Sequence, residues 1–176
     1  MAAQKPVAKA SVCPKDLFMT ATSNPLFANL RVVELASMIL APSAAVILAD
    51  YGAEVIKIEP PKTGDLNRHW HKINGLPISD MAYGFQVDNR NKKSVVLDLK
   101  TAAAYEALCR IIREADVLIT NYRLKALDKL KLDYETIHAL NPRIIYALAT
   151  GFGEKGDEAH KPGYDTVSYW SRSGIE

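Results

Sequence analysis

Hydrophobic and polar positions alternate between two periods along this chain. The apolar run Leu30–Val33 with Leu35 has the length and branched content of a buried strand, and it stops at Ala36-Ser37, small residues suited to a turn. From Pro42 to about Tyr51 the spacing is helical; Pro42 suits a first turn, where its missing N–H has no partner to lose. Gly52 can take the left-handed conformation that closes a helix. Glu54–Glu59 then alternates polar and apolar, as a half-buried strand does, until Pro60-Pro61 ends it. Two strands joined through a helix of this length predict a parallel pair with a right-handed crossover. In such units ligands gather outside the carboxyl ends of the strands, which singles out Ser37–Pro42. That turn carries no glycine, so its backbone cannot approach a pyrophosphate closely, which argues against NAD and FAD.

The same grammar repeats. After the turn cluster Pro60–Asp65 an irregular stretch is expected to about Asn91, a length that usually signals function or a partner. A third strand is expected over Ser94–Lys100, with Asp98 and Lys100 marking an end that meets solvent or ligand. Thr101 caps a helix to about Ala115, with Tyr105, Leu108, Ile111 and Ile112 on one face. Asp116–Thr120 is a fourth strand ending in Asn121-Tyr122-Arg123, a trio suited to a phosphate-bearing ligand. Short helices follow at Ala126–Leu130 and, capped by Asp133, through Ala139. A fifth strand, Arg143–Ala149, runs into the glycine loop Thr150–Gly156, which lacks the Lys-Ser or Lys-Thr of a Walker loop. A new helical pattern, with Val167, Tyr169 and Trp170, begins before Glu176. The expected fold is therefore α/β: an open, mostly parallel, Rossmann-like sheet with helices on both faces. Because the pattern stops inside an element, the 176 residues read as the amino-terminal part of a longer protein.

Composition narrows the function classes. A hydrophobic share of 48% and a charged share of 24% suffice for one cored domain, and a net charge of +2, with Lys and Arg interspersed among Asp and Glu, gives no footing for nucleic acid. The longest apolar stretch, Met38–Leu48, is broken by Pro42 and is too short to span a membrane. Cys13 and Cys109 form no disulfide or zinc pattern, which fits a reducing, cytoplasmic setting. Residues 1–28 read as a flexible extension, and 29–176 as the folded domain. His69 and His71 flank Trp70 and would share a face on an extended segment, but no third ligand of suitable spacing follows, so a metal is not expected.

Taken together, VVELASMILAPSAAVILADYGAEVIKIEPP, TGDLNR, NRNKKSVVLDLK, ADVLITNYR, ALDKLKLDYETIHALNPRIIYALATGFGEKG and PGYD resemble the amino-terminal part of the class III CoA-transferases, the CaiB–BaiF superfamily. The match runs in register from about Leu30 to Glu176. Within the superfamily, GFGEKG, NYR-x-x-AL and PGYD look closest to aryl-lactate and 2-hydroxyacid CoA-transferases. The resemblance implies coenzyme A or acyl-CoA as substrate, a carboxylic acid as acceptor, no metal, and a homodimer of interlocked subunits. Carried over by position, it implies CoA contacts at Ile39 and Leu40, Leu97 and Lys100, Asn121, Tyr122 and Arg123, Lys129, and the corner Gly163-Tyr164-Asp165. One departure stands out: Pro60 occupies the position of a phosphate-binding arginine, leaving Lys57 or Lys62 to supply that charge.

In that family an aspartate attacks the acyl-CoA thioester, and its position by register lies beyond Glu176. Asp165 matches an auxiliary acidic position, and Tyr164 matches a histidine that moves the α-proton in the racemases of the superfamily. A phenol with its high intrinsic pKa is poorly suited to that task, which favours transfer over an α-methylacyl-CoA racemase-like reaction. Two simpler roles stay open: Tyr164 packing a loop, and Asp165 capping the next helix. The rival from another class is a non-catalytic acyl-CoA-binding or assembly module of a split enzyme. On the transferase reading, this chain alone is expected to be inactive.

Overall fold

The computed structural model describes residues 25–72, 75, 78–164 and 166–174. Its strands are β1 (Arg31–Leu35), β2 (Glu54–Glu59), β3 (Lys93–Val96), β4 (Val117–Thr120) and β5 (Ile145–Leu148). They form one parallel sheet in the order β3-β2-β1-β4-β5, with Val33 of β1 in register with Ile56 and Leu118 on its two sides. The helices are α1 (Leu40–Asp50), α2 (Tyr83–Asn89), α3 (Ala102–Arg113), α4 (Leu124–Leu130) and α5 (Tyr134–Leu140); a π-type turn, Thr166–Trp170, and α6 (Ser171–Ser173) close the described chain.

Successive strand residues point to opposite faces, so the sheet sorts its core into two. Val33, Leu35, Ile58 and Leu118 pack with Leu108 and Ile112 of α3, Leu127 of α4 and Ile137 of α5. Val32, Val55, Val117 and Ile119 pack instead with Ala41, Ala45 and Ala49 of α1. The four-residue spacing of those alanines gives α1 a narrow, small-residue seam for close approach to the sheet. Helices thus cover both faces, as the alternating pattern predicts.

Differences from expectation have local causes. Helix α1 begins two residues early: Ser43 N–H donates to Ile39 O at 2.7 Å, and Pro42 is the third helical residue, still within the turn whose N–H groups lack partners. The stretch from Pro60 to Asn91 is not irregular throughout. It holds a 3-10 helix, Leu66–Lys72, and α2, both tied down by polar side chains and so invisible to an apolar-period test. Asp88 Oδ1 accepts from Ser43 Oγ at 2.8 Å, and its Oδ2 accepts from Asn67 Nδ2 at 3.1 Å. Strand β3 is shorter than expected, ending at Val96, which leaves Leu97 and Lys100 in the turn before α3. Thr101 and Asp133 cap α3 and α5 as read, accepting from Ala104 N–H and Thr136 N–H.

Candidate functional site

The chain runs from β1 outward to β2 and β3, then crosses to β4 and β5 on the other side, so the strand order reverses between β1 and β4. The crevice outside the carboxyl ends of such a pair is where open α/β sheets hold ligands. Here the two exits are stitched together by one side chain. Asn121 Oδ1 accepts the Ser37 N–H at 3.1 Å, while its Nδ2 donates to Ser37 O at 2.7 Å. Thr120 Oγ1, fully buried, donates to Leu35 O at 2.8 Å and accepts the Tyr122 N–H at 3.1 Å.

This stitch brings Ile39 and Leu40 to the same corner as Asn121–Arg123. Leu40 is 70% exposed and Ile39 47%, large apolar side chains left uncovered at the start of α1. Tyr122 packs against the α3 side of the core, and burial, with the Asp65 charge next, pushes its hydroxyl above the ordinary phenol range. Arg123 is exposed at the N-cap of α4 and Lys129 is exposed in its last turn, about 9 Å further along the axis at 1.5 Å per residue. Leu97 is partly buried against the core, and Lys100 is exposed two residues past Asp98, whose Oδ1 accepts the Lys100 N–H at 3.2 Å. They sit at the end of β3, two strands from β1 and so about 10 Å away.

Gly163 has a backbone role: a Cβ placed on it would lie 2.4 Å from Gly151 Cα, so Gly163 and Gly151 lie back to back and tether the glycine loop. Tyr164 is 57% exposed, and its carbonyl accepts from Val167 N–H and Ser168 Oγ at the start of the π-type turn; its ring does not fill a loop interior. Asp165 lies outside the described residues. His69 and His71 do not share a face: the 3-10 helix buries His71, while exposed His69 faces Thr63 O through Nε2 at 2.9 Å. A cleft of about 390 Å³ lies beside Pro25–Leu30, and one of about 210 Å³ between α4, α5 and β5 is lined in part by Leu124, next to Arg123.

Beneath the corner is a buried charge network that the sequence reading missed. Lys57 cannot stand in for the missing phosphate-binding arginine, because it is 1% exposed and its Nζ lies 2.6 Å from Glu34 Oε1 and 2.7 Å from Asp65 Oδ2. It also donates to Ala36 O at 3.0 Å. Lys92, equally buried, pairs with Glu34 Oε2 at 2.6 Å and donates to Pro42 O at 2.8 Å; burial lowers its pKa, opposed by Glu34. Beside them, Glu59 takes a forked contact from Arg68 at 2.7 and 2.6 Å, with Ser94 Oγ at 2.6 Å and Asp65 N–H at 2.9 Å. Burial pushes the Glu59 carboxyl up, but these donors outweigh it and hold it at about 2. The guanidinium of Arg68 also lies 3.6 Å over the Phe85 ring. A signal was available: a parallel sheet is covered on both faces, so Lys57 and Glu59 in a central strand had to be paired inside.

A five-stranded parallel sheet whose strand order reverses between β1 and β4, with helices on both faces, defines a doubly wound α/β domain. A family model, CoA-transferase family III, matches residues 27–176, and the chain belongs to that family. It is 42% identical over 151 residues to the cinnamoyl-CoA:phenyllactate CoA-transferase of Clostridium sporogenes, covering 85% of this chain and 36% of that one. It is 41% identical over 150 residues to the succinate–glutarate CoA-transferase of Agrobacterium fabrum, covering 81% of this chain and 36% of the other. A solved structure of a CaiB/BaiF family protein from Brucella suis superposes with a TM-score of 0.78 at 40% identity, over 87% of this chain and 40% of that one. The chain thus spans about a third of the length of the curated relatives it matches.

Proposed function

We propose that residues 29–176 form the CoA-binding part of an enzyme that moves CoA from an acyl-CoA to a carboxylic acid, with residues 1–28 a flexible extension. The observation that carries this reading is the Asn121 side chain bonding both polar groups of Ser37, which fixes the β1 and β4 exits as one corner. On this reading Arg123 presents a planar fork and Lys129 a point charge to the phosphates. Ile39 and Leu40, with Leu97, supply apolar contact. Asn121, Tyr122, Lys100, Gly163 and Tyr164 line the remaining path, and Asp165 is an auxiliary acid. Exposed Lys62, rather than buried Lys57, takes the position of the missing arginine's charge.

The nucleophile is an aspartate outside these 176 residues. Its carboxylate attacks the thioester carbonyl, forming a mixed anhydride and expelling CoA thiolate. The thiolate then attacks the aspartyl carbonyl, releasing the donor acid and leaving an aspartyl-CoA thioester. The acceptor carboxylate attacks that thioester, and the returning thiolate completes the new acyl-CoA and frees the aspartate. A carboxylate suits both roles because it is ionised at neutral pH and its acyl products remain reactive. The named acids of the two relatives, phenyllactate and the succinate–glutarate pair, differ while identity hardly does, so the reading commits to carboxylate-to-carboxylate transfer and not to one acid. The full-length protein is read as a cytoplasmic homodimer.

The test is single-turnover trapping. Full-length protein mixed with acyl-CoA and hydroxylamine should yield one aspartyl hydroxamate, whereas the 176-residue chain yields none and shows no turnover. Turnover by the isolated chain that Asp165→Ala abolishes would overturn the assignment of the nucleophile.

A further inference from the structure

The TGDLNR segment has no part in the coenzyme A contacts proposed above, yet its aspartate reaches under the β1 exit. Asp65 Oδ1 accepts three hydrogen bonds: Ser37 Oγ at 3.0 Å, Met38 N–H at 3.1 Å and Asn67 N–H at 2.9 Å. Its Oδ2 faces Lys57 Nζ at 2.7 Å as an ion pair outside hydrogen-bond geometry. Met38 stands at φ 72°, a left-handed conformation that costs a side-chain-bearing residue free energy and persists only when its surroundings impose it. Helix α1 begins two residues later, its N-cap Ile39 makes no side-chain cap bond, and its first turn carries no acid. The carboxylate that serves this turn therefore comes from another segment.

The contacts form a chain of constraint. Lys57 on β2 holds Asp65 and the Ala36 carbonyl; Glu34 on β1 holds Lys57 and Lys92; and Lys92 reaches the Pro42 carbonyl inside α1. Every link is a buried charge, and two cations balance two carboxylates. An ionic network this deep gives little net stability compared with apolar packing, which leaves specification of one backbone conformation as its physical gain.

We propose that Asp65, locked by Lys57, is a positioning residue that imposes the left-handed Met38 turn and thereby presents Ile39 and Leu40 to coenzyme A. The proposal rests on the reading of this corner as the CoA site, and its test separates the two. Lys57→Met with Asp65→Leu removes one charge of each sign, leaving the Glu34–Lys92 pair balanced, so the double variant should fold. Its Met38 amide should lose hydrogen-exchange protection, a readout that needs no ligand. If the competent turn falls to about a tenth of molecules, the apparent Kd for CoA, measured by calorimetry on the 176-residue chain, rises about tenfold. Adding Met38→Gly, which accepts φ 72° without strain, should recover most of that loss; a merely structural network would not respond to the glycine. Ser37→Ala, which deletes the Oγ bond to Asp65 and the Leu66 N–H bond to Oγ but no charge, should weaken binding about two- to threefold and serves if the double variant fails to fold.

Unchanged protection of the Met38 amide and unchanged CoA affinity in these variants would overturn the positioning role while leaving the CoA site standing. Wild-type protein that binds no CoA, with Met38 protection lost on substitution, would overturn the site reading and confine Asp65 to holding the turn.

Discussion

Acid should weaken this fold through Glu59 more than through an ordinary surface carboxylate. The native carboxyl is held at about 2, below its unfolded range, by Arg68, Ser94 and the Asp65 N–H against the opposing effect of burial. A depressed native pKa contributes stability that is present above the unfolded value and lost as pH falls through the native one, here between about 4.5 and about 2. Lowering the carboxyl from its ordinary value to about 2 corresponds to an upper figure of about 3 kcal/mol. Arg68 is 37% exposed, so water screens part of the pair and on the order of 2 kcal/mol is expected. The assay is urea unfolding of wild type and Glu59→Gln across a pH series. The variant should be less stable by on the order of 2 kcal/mol near neutrality, with roughly half of the gap gone by about pH 3 and the curves converging below that. A gap that stays constant over the whole series would refute the reasoning, because it would show that Glu59 acts through shape and not through its ionised form.

Asn121→Ala should cost about 2–3 kcal/mol in urea unfolding, because it removes two hydrogen bonds and leaves the Ser37 N–H and C=O without their partner; a cost below about 0.5 kcal/mol would show that the two strand exits do not depend on it. Gly163→Ala would put a Cβ 2.4 Å from Gly151 Cα, so amide exchange in 150–156 should quicken about tenfold while β4 amides keep their protection. Unchanged exchange in 150–156 would mean that the two glycines do not tether that loop.

The strands and helices were legible because each hydrophobic run has the period of its element and each turn its own chemistry: Gly52 at φ +99°, Thr101 and Asp133 as caps, Asn121 past β4. The switch-point corner was legible for the same reason, since connection lengths force parallel pairing and the strand ends follow. What escaped the reading is polar and long-range. Lys57 and Glu59 alternate with apolar neighbours just as solvent-facing residues do, and their burial depends on partners brought in by the fold: Glu34 and Asp65 for Lys57, Arg68 for Glu59, and Lys92 through Glu34. The 3-10 helix Leu66–Lys72 and α2 escaped for the same reason, as Asp88, Asn67 and Ser43 hold them in place of an apolar stripe. The left-handed Met38 carries no sequence mark at all, because a methionine there is held by a carboxylate 27 residues on.

On the proposed function, the CoA phosphates sit at the corner where α4 begins. Calorimetric titration of the 176-residue chain with coenzyme A, beside an Arg123→Ala, Lys129→Ala variant, tests that placement most directly. Both side chains are exposed, so their removal should leave the fold intact. Saturable binding with a stoichiometry near one, weakened by about tenfold or more in the variant, is the predicted result. Equal affinity in the two proteins would contradict the account, since the phosphates would then be held somewhere other than the β1–β4 switch point.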